Sequence, residues 1–151
     1  MSTPYNDQEI ESIAKRLLDR SLPKAEWTHA AHWAAALRIA KTDARPFETI
    51  AAAIPPYNEA VGGQNTDTDG YHATVTYACM TLAELVMAEA DDDISLSQIH
   101  RTVMTSPLGD MDWLKRHYST DRLWSVKARR EPLEPDLAPL KDTLQDVTHK
   151  L

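Results

Sequence analysis

The sequence predicts an all-α protein, an up-down bundle of four main helices followed by an irregular C-terminal segment. Three observations predict it. Apolar residues recur at helical spacing in long alanine-rich stretches. Only 4 of 151 residues are glycine, which favours helix. A single Phe and few Val or Ile disfavour an extensive sheet. The length suits one domain, because two would each be too small to bury a good core. The expectation is a single helical domain over residues 1–151, with about 1–6 and 140–151 as fraying ends.

The first helix is expected over about Asp7 to Arg20, where Ile10, Ile13, Leu17 and Leu18 share a face and Asn6 or Asp7 caps the start. Ser21-Leu22-Pro23 ends it. A second helix runs from near Ala25 to about Lys41. A third covers about Pro46 to Val61, with Pro46 suited to the first turn. Pro55-Pro56 should kink or split it, since each proline removes a backbone donor. Gly62-Gly63 closes it, and Gln64 to Gly70 is a polar loop. The fourth helix, about Tyr71 to Ala90, is the longest and most apolar, and Asp67, Thr68 or Asp69 is expected to cap it. Ser95 caps a fifth, to about Met104. Short helices are expected over Asp110 to His117 and Thr120 to Arg129. Pro132, Pro135 and Pro139 then prevent a long continuous helix, and Leu140 to Leu151 is either a short docked helix or a frayed tail.

The formal charge of -7 at pH 7 argues against nucleic acid and anionic lipid as partners. Lys127, Arg129 and Arg130 form the one dense basic cluster. No run approaches the roughly 20 apolar residues of a membrane span, and Met1 to Gln8 lacks the apolar core of a signal peptide. Cys79 is the sole cysteine, which fits a reducing compartment. The expectation is a cytoplasmic protein with no membrane or nucleic-acid partner. Oligomeric state is left open, a homodimer included.

The chemistry-bearing residues gather by pattern. Wound at about 100° per residue, the second helix places His29 and His32 in the half that carries Ala36 and Ile39, with Glu26 at its border. The fourth helix places His72 on its apolar side. Antiparallel neighbours would bring the first turns of both helices to one end, beside Tyr57, Asn58 and the Gly62 to Gly70 loop. Glu26, His29, His32 and His72 could there hold one divalent transition metal, Zn, Fe or Mn, because Glu-x-x-His projects both donors from one stripe. A second Glu-x-x-His, needed for a ferritin-like pair, is absent from the sequence. Without a metal, His29 and His72 are acid-base candidates oriented by Glu26 or Asp67. Tyr57, Asn58, Asn65 and Asp67 are the expected ligand-binding residues.

Other motifs are weaker. Asn65-x-Asp67-x-Asp69-Gly70 imitates the start of a calcium loop, but the twelfth position is Thr76 and not Glu. No Gly-x-Ser-x-Gly elbow or phosphate-binding glycine motif occurs. Cys79 is read as packing, and Trp27, Trp33, Trp113 and Trp124 as core or groove walls.

The blocks Glu26-Trp27-Thr28-His29-Ala30-Ala31-His32, Tyr57-Asn58-Glu59-Ala60-Val61-Gly62 and Asn65-Thr66-Asp67-Thr68-Asp69-Gly70-Tyr71-His72-Ala73-Thr74, with Tyr118 to Arg129, together resemble a group of small bacterial helical proteins. The resemblance covers most of Trp27 to Asp136 and implies no particular reaction. Two functions follow as expectations. One is a small enzyme or ligand-binding protein acting on a small polar molecule. The other is a non-catalytic interaction or structural protein whose buried histidines only fix helix packing.

Overall fold

The computed structural model describes residues 5–149 and 151. Eight α-helices and three short 3-10 turns make up the regular structure, with no strand among the described residues. The all-α expectation holds. The four expected main helices are present within the first 90 residues, and four shorter ones follow them.

Helix α1, Asp7–Leu18, is capped by Asn6, whose side chain accepts from Glu9 N while the Glu9 carboxylate accepts from Asn6 N. Helix α2, His29–Thr42, lies at the centre, packed against α1, against α3 (Pro46–Ala60), α4 (Ala73–Glu89) and α5 (Leu96–Thr105). Its alanines explain this position: Ala31, Ala34 and Ala35 are wholly buried, and small side chains let neighbouring backbones approach from several sides. Trp33, Leu37 and Ile39 fill the remaining core.

The expected second helix starts later than its periodicity implies. Lys24–Glu26 is a 3-10 turn, and Thr28 takes the N-cap by accepting from Ala31 N. Glu26 therefore does not share a helical stripe with His29 and His32.

Helix α3 continues through Pro55 and Pro56 without a break. The carbonyls deprived of donors belong to the turn of Ala51 and Ala52, half-buried and exposed respectively, where water can replace the missing bonds. Helix α4 begins at Ala73, and its cap is His72 rather than Asp67, Thr68 or Asp69. Thr66 Oγ1 instead accepts from Thr68 N and Asp69 N inside the loop.

Beyond α5, Met111–Arg116 is 3-10. Ser125 divides the expected helix over 120–129 into α6, Thr120–Leu123, and α7, Val126–Arg130, by capping the latter. Residues 131–140 form a proline-rich strap. Helix α8, Lys141–Thr148, docks on α4 with Thr143 and Val147 buried, so the docked-helix alternative for the tail holds. Of the termini expected to fray, residues 1–4 and 150 lie outside the described residues. No helix among the described residues is long and apolar enough to cross a membrane.

Candidate functional site

Two adjoining cavities open between α2, α3 and α4. The inner one, about 280 Å³, is lined by Trp33, Ala36, Ile50, Ile54, Val75, Met80 and the exposed Met111, with His29, His32, Thr76 and Cys79 beside them. The outer one, about 390 Å³, is the more polar of the two, with Trp27, Tyr57, Asn58, Gln64, Tyr71 and His72 in its wall. His32, Ile54, Val75 and Thr76 line both. The imidazole of His32 thus stands at the junction of an apolar chamber and a polar vestibule.

The ring of His32 lies flat on the Trp27 indole, with centroids 3.7 Å apart and planes at 28°. Its Nδ1–H donates to Thr28 O at 2.7 Å. A carbonyl only accepts, so this bond selects the tautomer and leaves Nε2 as a bare acceptor. Removal of the ring from water pushes its pKa down to about 4, against the Thr28 carbonyl, which favours protonation. The residue is nonetheless exposed on its outer side. Water on that side opposes so full a desolvation, and what the packing carries is the direction, a ring that stays neutral at neutral pH. The inward orientation expected for His32 is corrected on the same ground: the side chain sits at the cavity mouth, not in the core.

His29 is half-buried and donates Nε2–H to Leu108 O at 2.9 Å. The same carbonyl accepts the Trp33 indole N–H at 3.0 Å. The Nδ1 of His29 has no protein partner among the described residues and is not sealed from solvent.

His72 differs. It is buried, its Nδ1 accepts from Val75 N at 3.1 Å, and its Nε2–H donates to Leu123 O at 2.7 Å. Both ring nitrogens are occupied by the protein. Desolvation lowers its proton affinity, helped by the nearby Arg129 charge and opposed by the Leu123 carbonyl. His117 is satisfied in the same way, by Ala138 O and the Thr143 hydroxyl.

The remaining expected residues separate. Glu26 is exposed and paired with Arg16 at 3.2 Å. Tyr57 and Asn58 line the vestibule. The Tyr57 hydroxyl donates to Leu22 O at 2.9 Å, and burial, then the Glu26 charge, raises its pKa. Asn65 braces the loop: its Oδ1 accepts from Asn58 Nδ2 and Tyr71 N, and its Nδ2 donates to Pro55 O. Asp67 is held by Arg130 through two bonds of 2.8 and 2.7 Å, and that guanidinium keeps its carboxyl below the usual range. Neither Asn65 nor Asp67 lines the cavities. No group of three His, Cys, Asp or Glu side chains is placed to hold a metal ion among the described residues, so Glu26, His29, His32 and His72 are not assembled as a ligand set.

Thr76 and Cys79 were missed as lining residues. Thr76 is one turn after His72, a spacing that could have flagged it. Cys79 is half-buried and lines the inner cavity, and burial pushes its thiol up to about 12. It is therefore a neutral S–H and not a nucleophile. Comparison with protein-family models, curated proteins and solved structures finds no match.

Proposed function

We propose that this protein binds a small molecule in the joined cavities, with the apolar part of the ligand in the inner chamber and its polar part at His29 and His32. One observation carries the reading. Two imidazoles are each fixed by one backbone carbonyl, and each keeps a ring nitrogen without a protein partner at a mostly apolar chamber. Packing alone favours histidines with both nitrogens satisfied, as at His72 and His117; the buried His100 also rests on a single carbonyl but lines neither cavity, so it is the open nitrogen together with the cavity that sets His29 and His32 apart. The lining moves the ligand class from the polar molecule expected from sequence to an amphipathic one.

If a reaction follows binding, His32 is the proton acceptor, since a neutral imidazole with a free lone pair is a base. The structural alternative is favoured by a different observation, the complete satisfaction of His72 and His117, and applies to those residues. In this reading the long helices α1 to α4 form an up-down set around α2. The chain is cytoplasmic, in keeping with a lone thiol.

The test is tryptophan fluorescence, because Trp27 and Trp33 line the two cavities. Saturable quenching by small aromatic compounds, lost on filling the chamber with Ala36→Phe, supports the reading. Absence of saturable binding in the folded parent contradicts it.

A further inference from the structure

The chamber has a chemical polarity of its own. The ring hydrogens of His29 and His32 go to Leu108 O and Thr28 O. The Trp33 N–H also goes to Leu108 O. The Thr76 hydroxyl donates to His72 O at 2.9 Å. Three polar atoms therefore remain, His29 Nδ1, His32 Nε2 and Thr76 Oγ1, and each can only accept. The Cys79 S–H is the one hydrogen left on a lining heteroatom, and it is a weak donor. No Lys, Arg, Asp or Glu lines the chamber.

An anion placed there would face acceptors and hydrocarbon, with no donor to replace its lost water. An ammonium would find lone pairs but no counter-charge. A neutral molecule with one O–H would meet an acceptor and bury its remaining surface on Ile50, Ile54, Val75 and Met80. Size narrows the class further: a cavity of about 150 Å³ accommodates benzene, and this chamber is about 280 Å³, enough for one ring and a short substituent.

We propose that the inner chamber takes a neutral phenol or comparably small apolar alcohol, whose hydroxyl donates to the uncommitted ring nitrogen of His29 or His32. This rests on the reading of the cavities as a ligand site and adds the ligand's chemistry.

Matched probes test it on the full chain. Ethylbenzene, 4-ethylphenol and 4-ethylbenzoate share an apolar body and differ in the head group. Titration at neutral pH should rank 4-ethylphenol roughly three- to tenfold tighter than ethylbenzene, the net worth of one hydrogen bond, with 4-ethylbenzoate weakest. In the His29→Phe, His32→Phe double variant the preference for the phenol should shrink to less than about twofold while ethylbenzene still binds. That variant strands no buried acceptor: Leu108 O keeps the Trp33 N–H, and Thr28 O keeps the backbone N–H of residue 32. Should it fail to fold, the ranking in the parent decides alone.

Ethylbenzene binding as tightly as the phenol, or the benzoate binding tightest, would overturn the ligand class and leave the cavity reading standing. A double variant that folds and keeps the full preference would also overturn the class. No binding by any of the three would overturn both.

Discussion

At His72 a single ring closes two backbone gaps. Its Nδ1 takes the N–H of Val75 at the start of α4, and its Nε2–H takes Leu123 O at the end of α6. Histidine is an uncommon cap, and for that reason the loop residues Asp67, Thr68 and Asp69 looked better suited. The decisive partner, Leu123, is 51 residues away and leaves no mark in local spacing. The same holds for His100 and His117, buried and bonded to Ala30 O and Ala138 O. The winding of the helices located His29 beside an apolar face, but it could not say which ring nitrogen a carbonyl would take. His72→Asn keeps a capping oxygen but is too short to reach Leu123, and should cost about 1 kcal/mol. His72→Leu loses both bonds and leaves Leu123 O without its donor, for roughly 2–3 kcal/mol. Chemical denaturation of the pair checks the order. Equal stability of parent and both variants would mean that the two bonds do not hold the fold.

At the scale of elements, the helices legible in the sequence were those with strong caps. Asn6 and Ser95 head α1 and α5 as expected. The start of α2 was misplaced because Ala25 to Thr28 continues the helical pattern while Thr28 competes as a cap. The strap over 131–140 was legible only as an absence of helix; its docking depends on distant side chains. Thr74 Oγ1 donates to Glu131 O at 2.9 Å and accepts from Leu133 N at 3.0 Å. The Tyr118 hydroxyl donates to Leu133 O at 2.7 Å. Thr74 is buried, so Thr74→Val leaves two strap groups short of a partner at nearly constant volume. The expected loss is about 1–2 kcal/mol, with faster hydrogen exchange at the Leu133 amide. Unchanged exchange there would show that Tyr118 and the prolines hold the strap without Thr74. On the other side, Arg129 donates to Gly70 O and Arg130 grips Asp67, so α7 fastens the loop whose Gln64 and Asp69 wall the vestibule. The basic cluster noted in the sequence thus acts within the chain. Gly70 permits this path: its φ is +85°, and a Cβ there would lie 1.8 Å from Gln64 O.

For the whole molecule, neutral histidines shielded from water set the response to acid. Burial lowers the proton affinity of His72 and His100 below the ordinary 6.5, and the shielding of the His32 ring against Trp27 acts in the same direction. In the unfolded chain these rings take protons near 6.5, whereas in the fold they resist. Their preference for the neutral form is therefore fully present above about pH 6.5 and is lost as pH falls through the folded values. The lowered carboxyls of Glu11 and Asp67 act only at lower pH. The melting temperature should drop between about pH 7 and pH 5, and His32→Phe should flatten that drop. A melting temperature constant over this range would show that the rings are better solvated than their packing indicates. The account's central claim is that His29 and His32 face a ligand while His72 serves the fold, and side-chain ¹⁵N resonances report it directly. On titration with 4-ethylphenol, His32 Nε2 should begin as an unprotonated nitrogen, and at least one of His29 Nδ1 and His32 Nε2 should shift saturably towards a hydrogen-bonded acceptor, while His72 Nε2 stays protonated throughout. A His32 Nε2 that carries a proton in the free protein at neutral pH, or His29 and His32 nitrogens unmoved at saturating phenol, would contradict it.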